Sequence, residues 1–251
     1  MQIRRFYVEG ELPGEGEEVL LSSQESLHAL RVLRLRAGDA LQLLNGRGVI
    51  ADAILAGETG GKHDRQACCR VEKVRTVPPP ELWPVLCVAP PRGKAFDLVL
   101  KAAVELGVRA IQPILCHYGV ARPEEIAGSW QDTLVSALKQ SANPYLPQVL
   151  PPLEFSASLE KLQAQFDHPG ILFGASPAAE ATARKHFGVT EAKECRYLFV
   201  GPEGGFAPAE ENALLSAGAI PVTLGSAVLR VETAVPALLG CLYGVANLAR
   251  E

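Results

Sequence analysis

The sequence predicts an α/β protein in two parts: a small β-rich domain over residues 1–76 and a larger domain on a mostly parallel sheet over residues 77–251. Three observations predict it. The run Val77-Pro78-Pro79-Pro80 divides the chain, because consecutive prolines favour extended polyproline II and lack amide donors. Before it lie short apolar runs separated by glycine turns. After it, short apolar runs alternate with segments of helical period, the order that builds a parallel sheet.

In the first part, Ala40 to Leu44 and Val49 to Leu55 flank Asn45-Gly-Arg-Gly48. Asn-Gly tolerates positive φ at both positions and predicts a two-residue hairpin turn. Ser26 to Leu35 reads as a short helix with Arg31 and Arg34 at i, i+3 on one face. About 75 residues of short strands and glycine turns suggest a small barrel.

In the second part, Leu82 to Val88 is an apolar run, and Lys94 to Leu106 is strongly helical. Phe96, Val99, Leu100, Ala103 and Val104 fall on one face, and Gly107 sits at C′. Asp97, Lys101 and Glu105 form a charge ladder on the opposite face, read as surface salt bridges. Ala110 to Cys116 reads as a strand. Ser129-Trp-Gln-Asp132 resembles a capping box opening a helix with Trp130, Leu134 and Leu138 on one face, ending by Asn143-Pro144. Gly170 to Gly174 and Arg196 to Val200 read as buried parallel strands. Pro208 suits N1 of the next helix, with Glu210 and Glu211 at its positive end and Gly218 closing it. Pro221 to Leu224 is a last strand. Glu232 to Ala249 is a final helix, apolar on most of its surface from Val235 to Leu248, in which Pro236 is tolerable only within the first turn.

Composition narrows the function classes. Charged residues make up 21 % and the formal net charge is −4, so the whole-protein field does not advertise a nucleic-acid partner. Residues 1–75 are neutral, with eleven basic and eleven acidic residues, but the arginines bunch at Arg4, Arg5, Arg31, Arg34, Arg36 and Arg47. That bunching reads equally as a basic patch or as a solvated mixed-charge surface. The six cysteines show neither Cys-x-x-Cys nor zinc spacing, which predicts reduced, mostly buried thiols, no metal and a cytoplasmic location. The N-terminus lacks an apolar signal core, and no run reaches the roughly 18 apolar residues of a membrane span.

Chemistry concentrates in two segments. Leu198-Phe-Val-Gly-Pro-Glu-Gly-Gly-Phe206 takes an apolar run into a glycine loop that opens a helix, where open α/β sheets bind ligands. It is neither Gly-x-Gly-x-x-Gly nor a Walker A loop, so a phosphate cradle is disfavoured. Alone, it reads first as a tight turn. Thr223-Leu-Gly-Ser-Ala-Val-Leu-Arg-Val-Glu-Thr-Ala234 shifts the balance by placing Arg230 and Glu232 beside a second strand end. Arg230 can hold a phosphate or a base edge; Glu232 can be a base, a cap or the partner of Arg230. The pair also reads as an ion pair at a helix start.

These two segments resemble the ribosomal RNA small subunit methyltransferase E family, within the SPOUT RNA methyltransferases. Arg92-Gly93 with Leu100-Lys-Ala-Ala-Val-Glu-Leu-Gly-Val108 carries the resemblance too, as do His28-Ala-Leu-Arg-Val-Leu-Arg34, Gly38-Asp39 and Asn45-Gly46. The resemblance implies a PUA-like β-barrel followed by a trefoil-knotted SPOUT α/β methyltransferase domain, a homodimer, and S-adenosylmethionine as cofactor. It implies methyl transfer to N3 of a uridine in the ribosomal RNA of the small ribosomal subunit. The residues implied to line the cofactor pocket are Phe173, Gly174, Gly201, Glu203, Gly204, Leu224, Gly225 and Leu229. Arg230 is the candidate cation or base-orienting group and Glu232 the candidate proton acceptor or Arg230 orienter. RNA contact falls to Arg4, Arg5, Arg31 and Arg34. Another RNA substrate, or a non-catalytic RNA-binding role, are the alternatives.

The chain departs from the family pattern at Lys139-Gln-Ser-Ala-Asn-Pro-Tyr-Leu-Pro147, where the family usually shows Glu-Gln-Ser-x-Arg-x-x-x-Pro. Lys139 replaces a Glu and Asn143 an Arg, and Asn cannot supply a guanidinium fork. Phe96 replaces a Met or Leu, and Val231 a Thr. Ala207 replaces a Ser or Thr, which removes a side-chain cap.

Overall fold

The computed structural model describes residues 3–61, 65–165, 170–175 and 193–247. The chain divides into two units: Met1–Pro79 with Val135–Leu146, and Pro80–Leu134 with Pro147–Glu251.

The first unit is built on a five-stranded sheet in the order β1-β3-β4-β5-β2. Its strands are β1 (Arg5–Tyr7), β2 (Glu18–Leu20), β3 (Ala40–Leu44), β4 (Val49–Thr59) and β5 (Gln66–Thr76). β1 runs parallel to β3, and the other pairings are antiparallel. Side chains alternate across a strand. Leu41 and Leu43 of β3, Ala51, Ala53 and Leu55 of β4, and Ala67, Cys69 and Val71 of β5 therefore enter one core with Phe6, Leu21 and Ala29. Register shifts at Asp52/Ala53 and Leu55/Gly57 bend β4 around that core. The next register row is polar: Arg5 Nε donates to Gln42 Oε1 at 3.2 Å, and Gln42 Nε2 donates to Asp52 Oδ1 at 2.7 Å.

Two local expectations are corrected here. The β3–β4 connection is a four-residue loop, not a two-residue turn. Gly46 and Gly48 take positive φ (69° and 92°), while the Asn45 carboxamide oxygen accepts the amides of Arg47 and Val49. The loop is held by the chain at 143–146, since Gly48 N–H donates to Pro144 O and Leu146 N–H to Gly46 O, both at 2.9 Å. A Cβ on Gly48 would lie 2.5 Å from Tyr145 Oη. The second correction concerns the predicted helix Ser26 to Leu35. α1 (Ser23–Leu27) continues as a π-helical turn, His28–Val32, in which Leu33 N–H donates to His28 O. Arg34 lies beyond it with φ 54°, so Arg31 and Arg34 do not share a helix face.

The second unit carries a parallel sheet in the order β12-β10-β11-β6-β7-β8, with β9 also pairing β7. These strands are β6 (Val85–Val88), β7 (Ala110–Leu115), β8 (Gln148–Val149), β9 (Leu153–Glu154), β10 (Ile171–Gly174), β11 (Tyr197–Val200) and β12 (Ile220–Val222). Leu86, Cys87, Val88, Ile171, Leu172, Phe173, Leu198 and Phe199 are all buried, as strands covered on both faces require. The helices are α2 (Ala95–Glu105), α3 (Gly128–Ser141), α4 (Phe155–Gln165), α5 (Pro208–Ser216) and α6 (Val231–Asn247).

α2 buries the five residues its periodicity marks and ends at Gly107, φ 74°, where Val108 N–H reaches back to Ala103 O. α3 begins at Gly128, so Ser129 lies inside the helix and does not cap it. Its last residues, from Val135, belong to the first unit, a placement the linker argument did not anticipate. α5 starts on Ala207 and Pro208 as expected; among the described residues no side-chain hydroxyl caps its first amides, while Glu210 Oε2 accepts the N-cap's own Ala207 N–H at 2.8 Å. Pro236 is the sixth residue of α6, beyond the first turn. It therefore deprives the Glu232 carbonyl of its i+4 donor. The predicted end of that helix, Ala249, lies outside the described residues. α6 buries Val231, Val235, Leu238, Leu239, Leu242 and Ala246, and Tyr243 Oη donates to Gly107 O at 3.1 Å.

Candidate functional site

β10, β11 and β12 are parallel neighbours, so their carboxyl ends open on one side of the sheet. Gly174 pairs with Val222, and Ala175 N–H donates to Val222 O at 3.0 Å, which holds two of these ends together. The third end runs into Gly201-Pro-Glu-Gly-Gly205, closed by Gly205 N–H to Pro202 O at 2.8 Å. The stretch from Thr223 to Arg230 leaves β12 and passes into α6, whose first bonds are Thr233 and Ala234 N–H to Arg230 O. These two loops, the end of β10 at Gly174 and Ala175, and the inner face of α6 enclose a cleft of ≈ 170 Å³.

Of the predicted pocket residues, Gly174, Gly201, Glu203, Gly204, Leu224 and Leu229 line the cleft. Gly225, with φ 136°, lies in the loop between Leu224 and Ala227 but outside the lining. Phe173 is fully buried behind it, its ring edge-on to Phe206 at 6.1 Å. Alternation along β10 explains this: a residue next to a lining glycine points to the opposite face. Arg230 is exposed and Glu232 half-buried on the first turn of α6, flanking the lining residue Val231.

Sequence reasoning missed Pro202, Val222, Val228 and above all Leu238, two turns along α6. Leu238 could be found only through Gly174: a Cβ there would sit 3.0 Å from Leu238 Cδ1. It also missed the turn after β7. Tyr118 packs against Gly204, where a Cβ would lie 3.1 Å from its own, and Glu210 Oε1 accepts His117 N–H at 2.8 Å. Beneath that turn, burial pushes the Cys116 thiol far above its usual range, which removes it as a nucleophile at neutral pH.

Among the described residues, Glu203 is the sole charged residue of the lining, and Val200, Val222, Leu224, Val228, Leu229 and Leu238 supply apolar walls. A phosphate here would meet a carboxylate and, among the described residues of the lining, no cation. The lining suits a ligand with a flat apolar body, hydrogen-bonding edges for backbone groups, and positive charge.

The expected RNA contacts separate. Arg4 pairs with Asp39 at 3.7 Å, and Arg5 is held by Gln42 and by Lys139 O at 3.4 Å. Arg31 lines a second cleft, within the first unit, while Arg34 is exposed and outside that lining.

Residues 78–243 match the family model described as RNA methyltransferase domain, and residues 21–63 match RNA methyltransferase PUA domain. The ribosomal RNA small subunit methyltransferase E of Mycobacterium bovis is 31% identical over 245 residues, 94% of this chain and 90% of that protein. The chain belongs to the ribosomal RNA small subunit methyltransferase E family. The crystal structure of a family member from Neisseria gonorrhoeae, bound to S-adenosyl methionine, superposes with a TM-score of 0.80. It is 28% identical and the match covers 97% of this chain and 98% of that one. A probable rRNA-methyltransferase from Porphyromonas gingivalis shares the fold at 24% identity, with a TM-score of 0.76 over 98% of this chain.

Within this family the chain's unusual Lys139 has a structural reason. Its Nζ lies 2.5 Å from Oε1 of Glu25, a carboxylate only 6% exposed on α1. Where the family shows an Arg, the Asn143 carboxamide accepts Tyr145 N–H at 3.0 Å, in the segment that holds the β3–β4 loop.

Proposed function

We propose that the cleft at the ends of β10, β11 and β12 binds S-adenosylmethionine, and that the protein methylates N3 of a uridine in small-subunit ribosomal RNA in the cytoplasm. The observation that carries this is the lining itself: glycine-bared backbone, apolar walls and, among the described residues, one carboxylate and no cation. Leu224, Leu229 and Leu238 would hold the adenine, and Glu203 is the charge a sulfonium would select. Bound there, S-adenosylmethionine supplies an electrophilic methyl group.

The remaining work falls to the chain. Uridine N3 carries a proton that must leave for the nitrogen lone pair to attack, and negative charge develops on the flanking carbonyl oxygens. In this reading Glu232, half-buried on the first turn of α6 next to the lining residue Val231, accepts that proton. Arg230, one residue before the helix and exposed beside the cleft wall, supplies the guanidinium that stabilises the developing charge and orients the base.

The same reading takes the Thr223 to Arg230 loop with α6 as the threaded part of a trefoil knot, and α6 as part of a homodimer interface. Its exposed residues are Thr233, Ala237, Gly240, Gly244 and Asn247, a straight stripe of small side chains.

Calorimetry with S-adenosylmethionine and methylation of intact small subunits, with the product nucleoside identified by mass spectrometry, test the proposal. Binding and 3-methyluridine are expected. Arg230→Ala should lower methyl transfer at least a hundredfold while cofactor affinity stays within about threefold. Cofactor binding with a different methylated nucleoside would reject the uridine assignment, and no binding would reject the enzyme.

A further inference from the structure

The cleft that Arg31 lines is formed by α1, the π-helical turn, Leu35 to Ala37, the far half of β4 and Arg65, and measures ≈ 520 Å³. Its floor is apolar: Leu35 and Leu55 are buried, while Leu30 and Leu27 form a wall, Leu27 being 53% exposed. Its rim is basic among the described residues, with Arg31, Arg36 and Arg65 against Glu58. Glu58 is taken up by Arg65 at 3.0 Å. The Arg31 and Arg36 guanidiniums are exposed and have no hydrogen bond or ion pair among the described residues. In a chain of net charge −4, these two arginines give the cleft a local positive charge.

The backbone between them is also irregular. Arg31 stands on a π-helical turn, and Arg34 adopts φ 54° without being glycine. Both are conformations found more often at functional sites than elsewhere. The Ser26 hydroxyl at the cleft base donates to Leu21 O at 3.1 Å and accepts Ala67 N–H at 2.9 Å, so it offers nothing to a ligand. Recognition must therefore come from the apolar floor and the free guanidiniums.

We propose that this cleft receives one unpaired nucleotide of the RNA, with its base against Leu27 and Leu30 and its flanking phosphates on Arg31 and Arg36. The proposal rests on the reading of the protein as an RNA methyltransferase and adds where its N-terminal unit grips the substrate. A duplex does not fit this chemistry. Its bases are stacked and paired inside, so it presents phosphates and 2′-hydroxyls but no free base for an apolar floor. An unstacked base brings a flat apolar face, and a guanidinium can lie on that face as well as pair with phosphate.

Fluorescence anisotropy of the full chain with a short labelled oligouridylate, and with a blunt RNA duplex of equal length, tests this. The single strand should bind at least tenfold more tightly. Arg31→Ala with Arg36→Ala should weaken that binding about tenfold and lower the slope of log affinity against log salt by about 1.4, the loss of two phosphate contacts. Gly57→Leu keeps both arginines and fills the cleft, because a Cβ at Gly57 meets nothing within 4 Å. It should remove the preference for single strand over duplex, with its melting temperature confirming that it folds. Equal binding of strand and duplex by the wild-type chain, or unaltered preference in Gly57→Leu, would overturn the proposal. Calorimetry of the wild-type chain with S-adenosylmethionine separates the two readings. A chain that binds cofactor but shows no strand preference loses only the cleft. One that prefers the strand but ignores the cofactor keeps the cleft and loses the proposed chemistry.

Discussion

A methyl group on Gly201 would sit 3.2 Å from the Phe206 ring, and one on Gly174 3.0 Å from Leu238 Cδ1. These two glycines of the cleft therefore serve close packing behind the loops as much as access for a ligand in front. At the same scale, the thiols set an upper pH limit. Burial raises Cys69 and Cys195 from 9.0 to about 12, and both are completely shielded from solvent. Below pH 9 folded and unfolded chains both hold these protons, and the contribution to stability is constant. Between pH 9 and 12 only the unfolded chain releases them, so stability falls as pH rises. The slope is about 1.4 kcal/mol per pH unit for each thiol. The urea midpoint should be level from pH 7 to 8.5 and fall above pH 9. Cys69→Ala and Cys195→Ala should each flatten that fall, and an equally steep decline in both variants would assign it to other groups.

At the scale of elements, α1 and the end of α3 are tied by Glu25 and Lys139. Glu25 Oε2 is buried without a hydrogen-bond partner, so Lys139 is what compensates its charge. Removing one member of a buried pair leaves the other uncompensated, at a cost of about 3–5 kcal/mol, whereas replacing both with apolar residues is often near neutral. Lys139→Met should therefore cost about 3 kcal/mol in urea unfolding, and Lys139→Met with Glu25→Leu should recover most of it. A cost for the single variant under about 1 kcal/mol would show the pair to be solvated. The pairing explains why the residues around Lys139 resisted reading from sequence. Their partners, Glu25, Gly46 and Gly48, lie about a hundred residues away, and periodicity carries no information about contacts at that range. Local signals fared otherwise. The five apolar positions of α2, Pro208 and Gly218 around α5, and the strand ends before Gly201 and Gly225 were legible because each follows from its own neighbours. Where a reading failed, either another element had intervened or a finer local detail had decided. The Asn45-Gly46 turn is recast by the chain at 143–146. Arg34 leaves its predicted helix where the π turn gives out, and Phe173 is turned from the cleft by the pleat.

Across the whole molecule, α6 poses a question that one chain does not answer. Its inner face is filled by Val231, Val235, Leu238, Leu239 and Leu242, yet Gly240 and Gly244 stand exposed on the outer face. A glycine inside a helix costs about 1 kcal/mol relative to alanine. No clash within the described residues demands either one, since a Cβ at each would meet nothing within 4 Å. The cost makes sense if another helix approaches the stripe closely, and the proposed homodimer supplies one. In that case the stripe behaves differently from an ordinary solvent face. Gly240→Arg should be harmless or mildly stabilising to a single chain, because it replaces a poor helix former with a good one. In a dimer it forces a long charged side chain into a contact built for hydrogen atoms. Light scattering should give twice the 26.8 kDa chain mass for the wild type and the single mass for Gly240→Arg, with helical content by circular dichroism undiminished. A variant that keeps the doubled mass would place the dimer contact on another face and leave the two glycines without a structural reason.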